Sequence, residues 1–159
     1  MVNIVLVEPE IPMNTGNVAR TCAVTGCPLH LVRPLGFDIS DRAVRRAGLD
    51  YWHLLDLTVY DGIEDFLSRH GNEPLVLATS KGSRPHTRME YPEGAFLLFG
   101  KETAGLPDWL RERYPDSCVR IPMLPGVRCL NLSNAVAVLC YEALRQQGFP
   151  GLTPGSNLQ

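Results

Sequence analysis

No C-x-x-C pair occurs in the 159 residues, and the five cysteines (Cys22, Cys27, Cys118, Cys129, Cys140) are irregularly spaced. That spacing supports neither a zinc site nor a disulfide framework, so reduced and mostly buried thiols are expected. A basic surplus is also missing. Fifteen Lys and Arg stand against 17 Asp and Glu, a formal net charge of −2, unlike most general nucleic-acid binders. No apolar run is long enough to cross a bilayer, and Met1 leads into Val2–Val7 without the basic and apolar regions of a signal peptide. A soluble, cytoplasmic protein is expected. Repeats and low-complexity tracts are absent too. The dinucleotide fingerprint G-x-G-x-x-G is missing, as is P-loop spacing; the first turn reads Glu8-Pro9-Glu10-Ile11-Pro12-Met13-Asn14-Thr15-Gly16. Any nucleotide-like ligand must be held in another way. The four histidines (His30, His53, His70, His86) lack ligand spacing, so no metal is expected and surface or core roles fit them better.

What is present is ordinary globular composition, 45% hydrophobic and 20% charged, enough for one domain with one core. Short apolar runs alternate with helical patterns, the arrangement of βα units on a parallel sheet. Strands are predicted over 3–7, 29–33, 55–60, 75–79, 95–99 and 119–121, several without polar alternation, as for strands covered on both faces. Helices are predicted over 15–25, 42–47, 63–70, 107–113 and 133–147. Asn14 is placed to cap the first and Gly26 to end it, while Gly148 and Pro150 close the last. The domain is expected to occupy 1–151, with a short tail over 152–159.

Three segments carry candidate chemistry. In Asn14-Thr15-Gly16-Asn17-Val18-Ala19-Arg20, Asn17 and Arg20 share a helix face. The arginine is either a surface cation with its stem on apolar neighbours or a group presented to a substrate. In Leu97-Leu98-Phe99-Gly100-Lys101-Glu102-Thr103-Ala104-Gly105-Leu106-Pro107, a strand enters a loop with two glycines. Gly100 permits close backbone approach, and Glu102 stands at the carboxyl end of a strand, where α/β ligands bind. In Ile121 to Ala135 a proline-broken strand end leads to Asn131 and Ser133, either of which can cap the last helix. That helix is apolar on more than one side: Ala135, Val138 and Tyr141 flank its main stripe. Such surplus apolar surface points to a subunit interface. Two basic clusters, Arg42-Arg45-Arg46 and Lys81-Arg84-His86-Arg88, are either solvated surface or an RNA footprint.

Taken in order, N-T-G-N-x-x-R, F-G-x-E-x-x-G-L-P and I-P-M…L-N-L-S-N-A-V resemble the three motifs of the SPOUT (TrmH-like) RNA ribose 2'-O-methyltransferases. Glu8–Asn17, Arg45–Tyr51 and the ending from Tyr141 to Gly151 resemble the small TrmL type, which methylates the wobble cytidine or uridine of tRNA. The resemblance spans about residues 2 to 151 and implies an α/β fold: a parallel sheet flanked by helices with a C-terminal trefoil knot, although knots are otherwise nearly absent from proteins. It further implies S-adenosylmethionine as methyl donor, tRNA as partner, leucine tRNAs as the expected substrates, and a homodimer formed through the last helix.

Carried over by position, the donor would contact backbone around Leu77, Ala78, Gly100, Ile121, Met123, Cys129 and Leu130. Glu102 and Asn131 would shape the reaction region, and Arg20 would be the catalytic arginine, reaching the partner subunit's site. RNA contacts are expected from Arg20, Arg45, Arg46 and Lys81. Because guanidinium stays protonated, Arg20 suits the stabilisation of developing alkoxide charge, or of a nearby phosphate, better than proton removal. Cys129 stands where many relatives have serine, and a thiol is a weak donor. The same residues admit other readings: another tRNA position or rRNA as target, or a catalytically silent RNA-binding protein on the same fold.

Overall fold

The computed structural model describes residues 1–40, 42, 46 and 51–153. Seven strands are described, β1 (Asn3–Val7), β2 (Leu29–Val32), β3 (Leu57–Tyr60), β4 (Leu75–Ala78), β5 (Arg84–Pro85), β6 (Phe96–Phe99) and β7 (Cys118–Arg120). They form one sheet in the order β3-β2-β1-β6-β4-β7-β5 with every pair parallel. The described helices of more than one turn are α1 (Pro12–Thr25), α2 (Ile63–His70), α3 (Asp108–Arg113) and α4 (Leu132–Gln146). No helix among the described residues is long and apolar enough to cross a membrane.

The unbroken apolar runs of the strands follow from cover on both faces. Alternate residues supply two separate cores. On one face Ile4, Leu6, Leu29, Leu31, Leu97 and Phe99 pack with α1 (Val18, Ala19, Cys22) and α4 (Val136, Leu139, Cys140, Ala143, Leu144). On the other Val5, Val7, Val32, Leu77, Phe96 and Leu98 pack with α2 (Ile63, Phe66, Leu67) and with Leu110 of α3. Each large side chain so buried stabilises the fold by roughly 1.5–3 kcal/mol.

Strand and helix predictions hold to within a few residues, and the differences have local causes. The helix predicted from Thr15 starts at Pro12 instead, so Asn14 lies inside it, buried, rather than capping it. Proline at the first helical position is favoured because its missing N–H would be unpaired there anyway. The strand predicted from Leu55 begins at Leu57, after a 3-10 turn over Trp52–Leu54. The predicted helix over 42–47 lies largely outside the described residues, as do 154–159; Arg42 and Arg46 are helical and exposed.

β5 differs from the sequence expectation, because two residues carry no periodicity. Its placement matters nonetheless. β4 and β5 pair with opposite edges of β7, with Ala78 and Arg84 both level with Val119. The connector 79–83 therefore crosses one face of β7. Gly82 lies against that strand so closely that a Cβ would sit 3.0 Å from the Val119 carbonyl carbon.

Candidate active site

The carboxyl ends of β1 and β6 lie side by side, and their chains leave in opposite directions: β1 leads on to β2, whereas β6 adjoins β4 and the later strands. Such a switch point opens a crevice at the ends of the strands. The three sequence segments meet there. Glu102, in the loop after β6, accepts hydrogen bonds from the backbone N–H of Glu10 (2.8 Å) and Ile11 (3.1 Å). It also accepts one from Asn14 Nδ2 at 3.1 Å. The carboxylate thus satisfies backbone donors leading into α1, whose N-cap, Ile11, has no side chain able to do so. Negative charge beside a helix N-terminus is favourable as well.

The chain of contacts continues. Asn131 Nδ2 donates to Asn14 Oδ1 at 2.9 Å, and Asn131 Oδ1 accepts from Ser133 N at 2.9 Å and Ser133 Oγ at 2.6 Å. Asn131 is the N-cap of α4, so of the two candidate caps it fills the role. Glu102 therefore orients the Asn14 amide, Asn14 orients Asn131, and Asn131 fixes the start of α4. Glu10 answers in the other direction, accepting from Thr103 N (3.0 Å) and Thr103 Oγ1 (2.8 Å).

Of the residues expected at a donor pocket, Ala78, Gly100 and Ile121 stand at the carboxyl ends of the adjacent strands β4, β6 and β7. Leu77 is fully buried beneath them. Met123, Cys129 and Leu130 belong to the irregular segment between β7 and α4, where Cys129 and Leu130 are exposed. Gly100 admits no side chain: a Cβ would fall 2.0 Å from Gly105 C and 2.1 Å from Leu106 N. Lys101 and Gly105 close that loop by an antiparallel bridge.

A cavity of about 470 Å³ opens beside this loop, lined by Glu8, Lys81, Lys101 and Asp108 with Val7 and Leu106 below. None of the seven expected donor residues lines it. Its charges are paired. Lys101 Nζ lies 3.0 Å from Glu8 Oε2, and that hydrogen bond raises the lysine's pKa. Lys81 lies 3.4 Å from Asp108, lowering the pKa of that carboxyl, with Arg111 adding to the effect. Lys81, expected at RNA, is thus exposed and engaged by a carboxylate. Glu8 has φ 52, a left-handed conformation uncommon outside glycine.

Arg20 and Asn17 are both exposed on α1, on one stripe with Met13 and Val24. The Arg20 guanidinium carbon lies 5.1 Å from the ring centroid of Tyr51. Arg46 is exposed, and Arg45 lies outside the described residues. In the second basic cluster, Arg84 is exposed and donates to the Asp116 carbonyl at 3.1 Å.

The model of the SpoU rRNA methylase family matches residues 1–141. The chain belongs to the SpoU methylase family. Its match to the tRNA (cytidine(34)-2'-O)-methyltransferase of Escherichia coli K12 is 47% identical over 95% of this chain and 97% of that one. The Saccharophagus degradans enzyme of the same name is 49% identical over 95% and 99%. A solved structure from work on 2-OH methylation of C/U34 on tRNA superposes with TM-score 0.89 at 44% identity, covering 93% of this chain and 97% of that one. The SpoU methyltransferase AviRb of Streptomyces viridochromogenes, solved in complex with AdoMet, gives 0.79 at 25% identity over 92% and 57%. The parallel sheet flanked by helices is the expected SpoU architecture.

Two features of this SpoU methylase escaped sequence reasoning. The contact between Arg20 and Tyr51 joins positions 31 apart across a segment with no diagnostic spacing. The histidines, placed on separate elements, partly converge: Tyr60 Oη lies 2.9 Å from His30 Nδ1 and 3.0 Å from His70 Nε2. Their positions are hidden by pairing between strands that only the folded sheet defines. Among the described residues no group of His, Cys, Asp and Glu is arranged to hold a metal ion.

Proposed function

We propose that this chain transfers a methyl group from S-adenosyl-L-methionine to the ribose 2'-hydroxyl of the wobble nucleotide, cytidine or modified uridine, in the tRNA anticodon loop. The reading rests on one observation above all. The three motif segments, far apart in sequence, meet in the Glu102–Asn14–Asn131–Ser133 chain of hydrogen bonds at the carboxyl end of the sheet. Near-full-length identity to tRNA (cytidine(34)-2'-O)-methyltransferases supports the substrate. Leucine tRNAs in the cytoplasm are the proposed targets within that class.

The residues fit a donor of this kind. Ala78, Gly100 and Ile121 put uncharged, small or apolar positions at the ends of three neighbouring strands, and Leu124, Val127 and Leu130 add exposed apolar surface from the following segment. Leu77, Ala78, Gly100, Ile121, Met123, Cys129 and Leu130 would hold it, largely through backbone groups, so thiol in place of hydroxyl at Cys129 matters little. When bound, the donor supplies an electrophilic sulfonium methyl. Glu102 and Asn131 shape the reaction region by fixing the starts of α1 and α4. Arg20 supplies a guanidinium cation that stabilises negative charge developing on the ribose oxygen.

The chain crossing over β7 supports a trefoil knot in which the segment after β7 threads the loop made by β4, 79–83 and β5. The functional unit in this reading is a homodimer of one domain over 1–151 with a tail over 152–159. Exposed Val138 and Tyr141 on α4, beside the Met13–Arg20–Val24 stripe of α1, form its apolar face, from which Arg20 reaches the partner's site. Arg20, Arg45, Arg46 and Lys81 serve the RNA.

The test is incubation with labelled methyl donor and bulk tRNA, followed by mapping of the methylated nucleotide. Label in a 2'-O-methylated wobble nucleotide is expected; label elsewhere in tRNA, or none, overturns the reading. Arg20→Ala is expected to lose turnover at least about 100-fold, the lower range for a group stabilising developing charge, while donor affinity is kept.

A further inference from the structure

We infer that Tyr51 is a positioning residue that holds the Arg20 guanidinium ready for the methyl transfer; this rests on the role proposed above for Arg20. The guanidinium carbon lies 5.1 Å from the Tyr51 ring centroid, within the range of cation–π attraction. Arg20 projects from an exposed position on α1. A side chain of that length samples many rotamers unless it is held, and ordering it costs entropy. A ring already lying against the guanidinium lowers that cost before substrate arrives.

The kind of partner matters as much as its presence. A carboxylate would bind the planar N–H edges of guanidinium and neutralise its charge. A ring engages the guanidinium through its π-face, and cation–π attraction uses up no N–H donor and no charge. The in-plane donors stay available to an alkoxide or a phosphate oxygen. That combination suits a group that must be held still yet remain a full cation.

The backbone that carries the ring is anchored. The Tyr51 carbonyl accepts from Leu54 N at 2.9 Å, opening the 3-10 turn Trp52–Leu54. Trp52 and Leu55 pack against the core that also contains Val18, Ala19 and Cys22 of α1. The turn and the helix that bears Arg20 are thus tied to one core, which keeps the backbone of Tyr51 beside that helix.

The experiment compares single-turnover methylation by the full-length protein with Tyr51→Phe, Tyr51→Leu, Arg20→Ala and the Tyr51→Leu, Arg20→Ala pair. Donor affinity and Tm are measured alongside. Tyr51→Phe is expected to stay within about twofold of the parent, and Tyr51→Leu to lose roughly three- to tenfold in the saturating single-turnover rate constant with the half-saturating tRNA concentration unchanged. On the Arg20→Ala background the leucine substitution should cost nothing more. Phenylalanines of increasing fluorination at position 51 keep the ring's shape while weakening its negative face, so the rate should fall stepwise along the series. A flat fluorination series, or an equal loss from Tyr51→Leu with and without Arg20, overturns the inference. Normal turnover by Arg20→Ala overturns it by removing the role of Arg20 itself. That outcome is distinct from an impaired Arg20→Ala beside an unimpaired Tyr51→Leu, which overturns the role of Tyr51 alone.

Discussion

Glu102 accepts three hydrogen bonds on two oxygens, from Glu10 N, Ile11 N and Asn14 Nδ2. Glutamine offers one acceptor oxygen and turns an N–H toward at least one of those donors. Glu102→Gln is therefore expected to destabilise the fold by about 1–3 kcal/mol, the cost of leaving such groups unpaired. Urea denaturation checks this; an unchanged midpoint would mean that water replaces the lost acceptor freely. Gly100 is constrained more severely, because the atoms that a Cβ would strike are backbone, not movable side chain. Gly100→Ala should cost at least about 2 kcal/mol, within the range for overpacking, and weaken binding of S-adenosylmethionine through displacement of the 101–106 loop. Thermal denaturation and calorimetric titration report the two effects separately. At both positions the residue type was legible as unusual from sequence, but its partner was not. Glu102 stands 92 positions from Glu10, and no local pattern marks that contact.

At the scale of elements, α1 and α4 each divide into a buried stripe and an exposed one. On α4 the buried stripe holds Val136, Leu139, Cys140, Ala143 and Leu144, while Asn134, Val138, Tyr141 and Arg145 face outward. Tyr141 is 47% exposed and Val138 38%, and on α1 Met13 is 54% and Val24 50%. Leaving large apolar side chains on two adjoining helices in water carries a free-energy cost that association would remove. Val138→Asp with Tyr141→Asp is expected to halve the mass measured by light scattering and to abolish methylation while leaving helix content intact. A variant of unchanged mass would exclude this face as the interface. Helix periodicity made the surplus apolar surface readable in the sequence. Which part of it the monomer leaves open depended on the packing of α4 against α1 and the sheet.

At the scale of the molecule, His30 links pH to stability. It is buried between β1 and β3, with its ring facing Tyr60, His70 and Phe96, and Asn3 Oδ1 lies 3.2 Å from its Nε2. Burial first, and the neighbouring His70 second, lower its pKa from 6.5 to about 4, although Asp56 opposes this. The neutral ring is the form that the fold accepts. Its contribution is therefore complete above about pH 6.5 and is lost as pH falls toward 4. Between pH 7.5 and 4.5 this one group should remove about 2–3 kcal/mol of stability. Urea denaturation at the two pH values, repeated with His30→Gln, checks it; the parent and the variant should differ in slope against pH. Equal slopes would assign the acid sensitivity to other groups.

By itself the sequence determined the α/β alternation, most strand cores, the apolar excess of the last helix and the identity of the three motif segments. Each of these is a property of neighbours along the chain: period, composition and capping residues within a few positions. Only the tertiary structure decided that β7 lies between β4 and β5, that Asn14 bridges Glu102 and Asn131, and that Tyr51 lies against Arg20. Those arrangements depend on parallel pairing between distant strands and on short-range forces that act only once the sheet has brought the partners together. A two-residue strand such as β5 leaves no periodic trace, yet the chain between it and β4 is what crosses over β7.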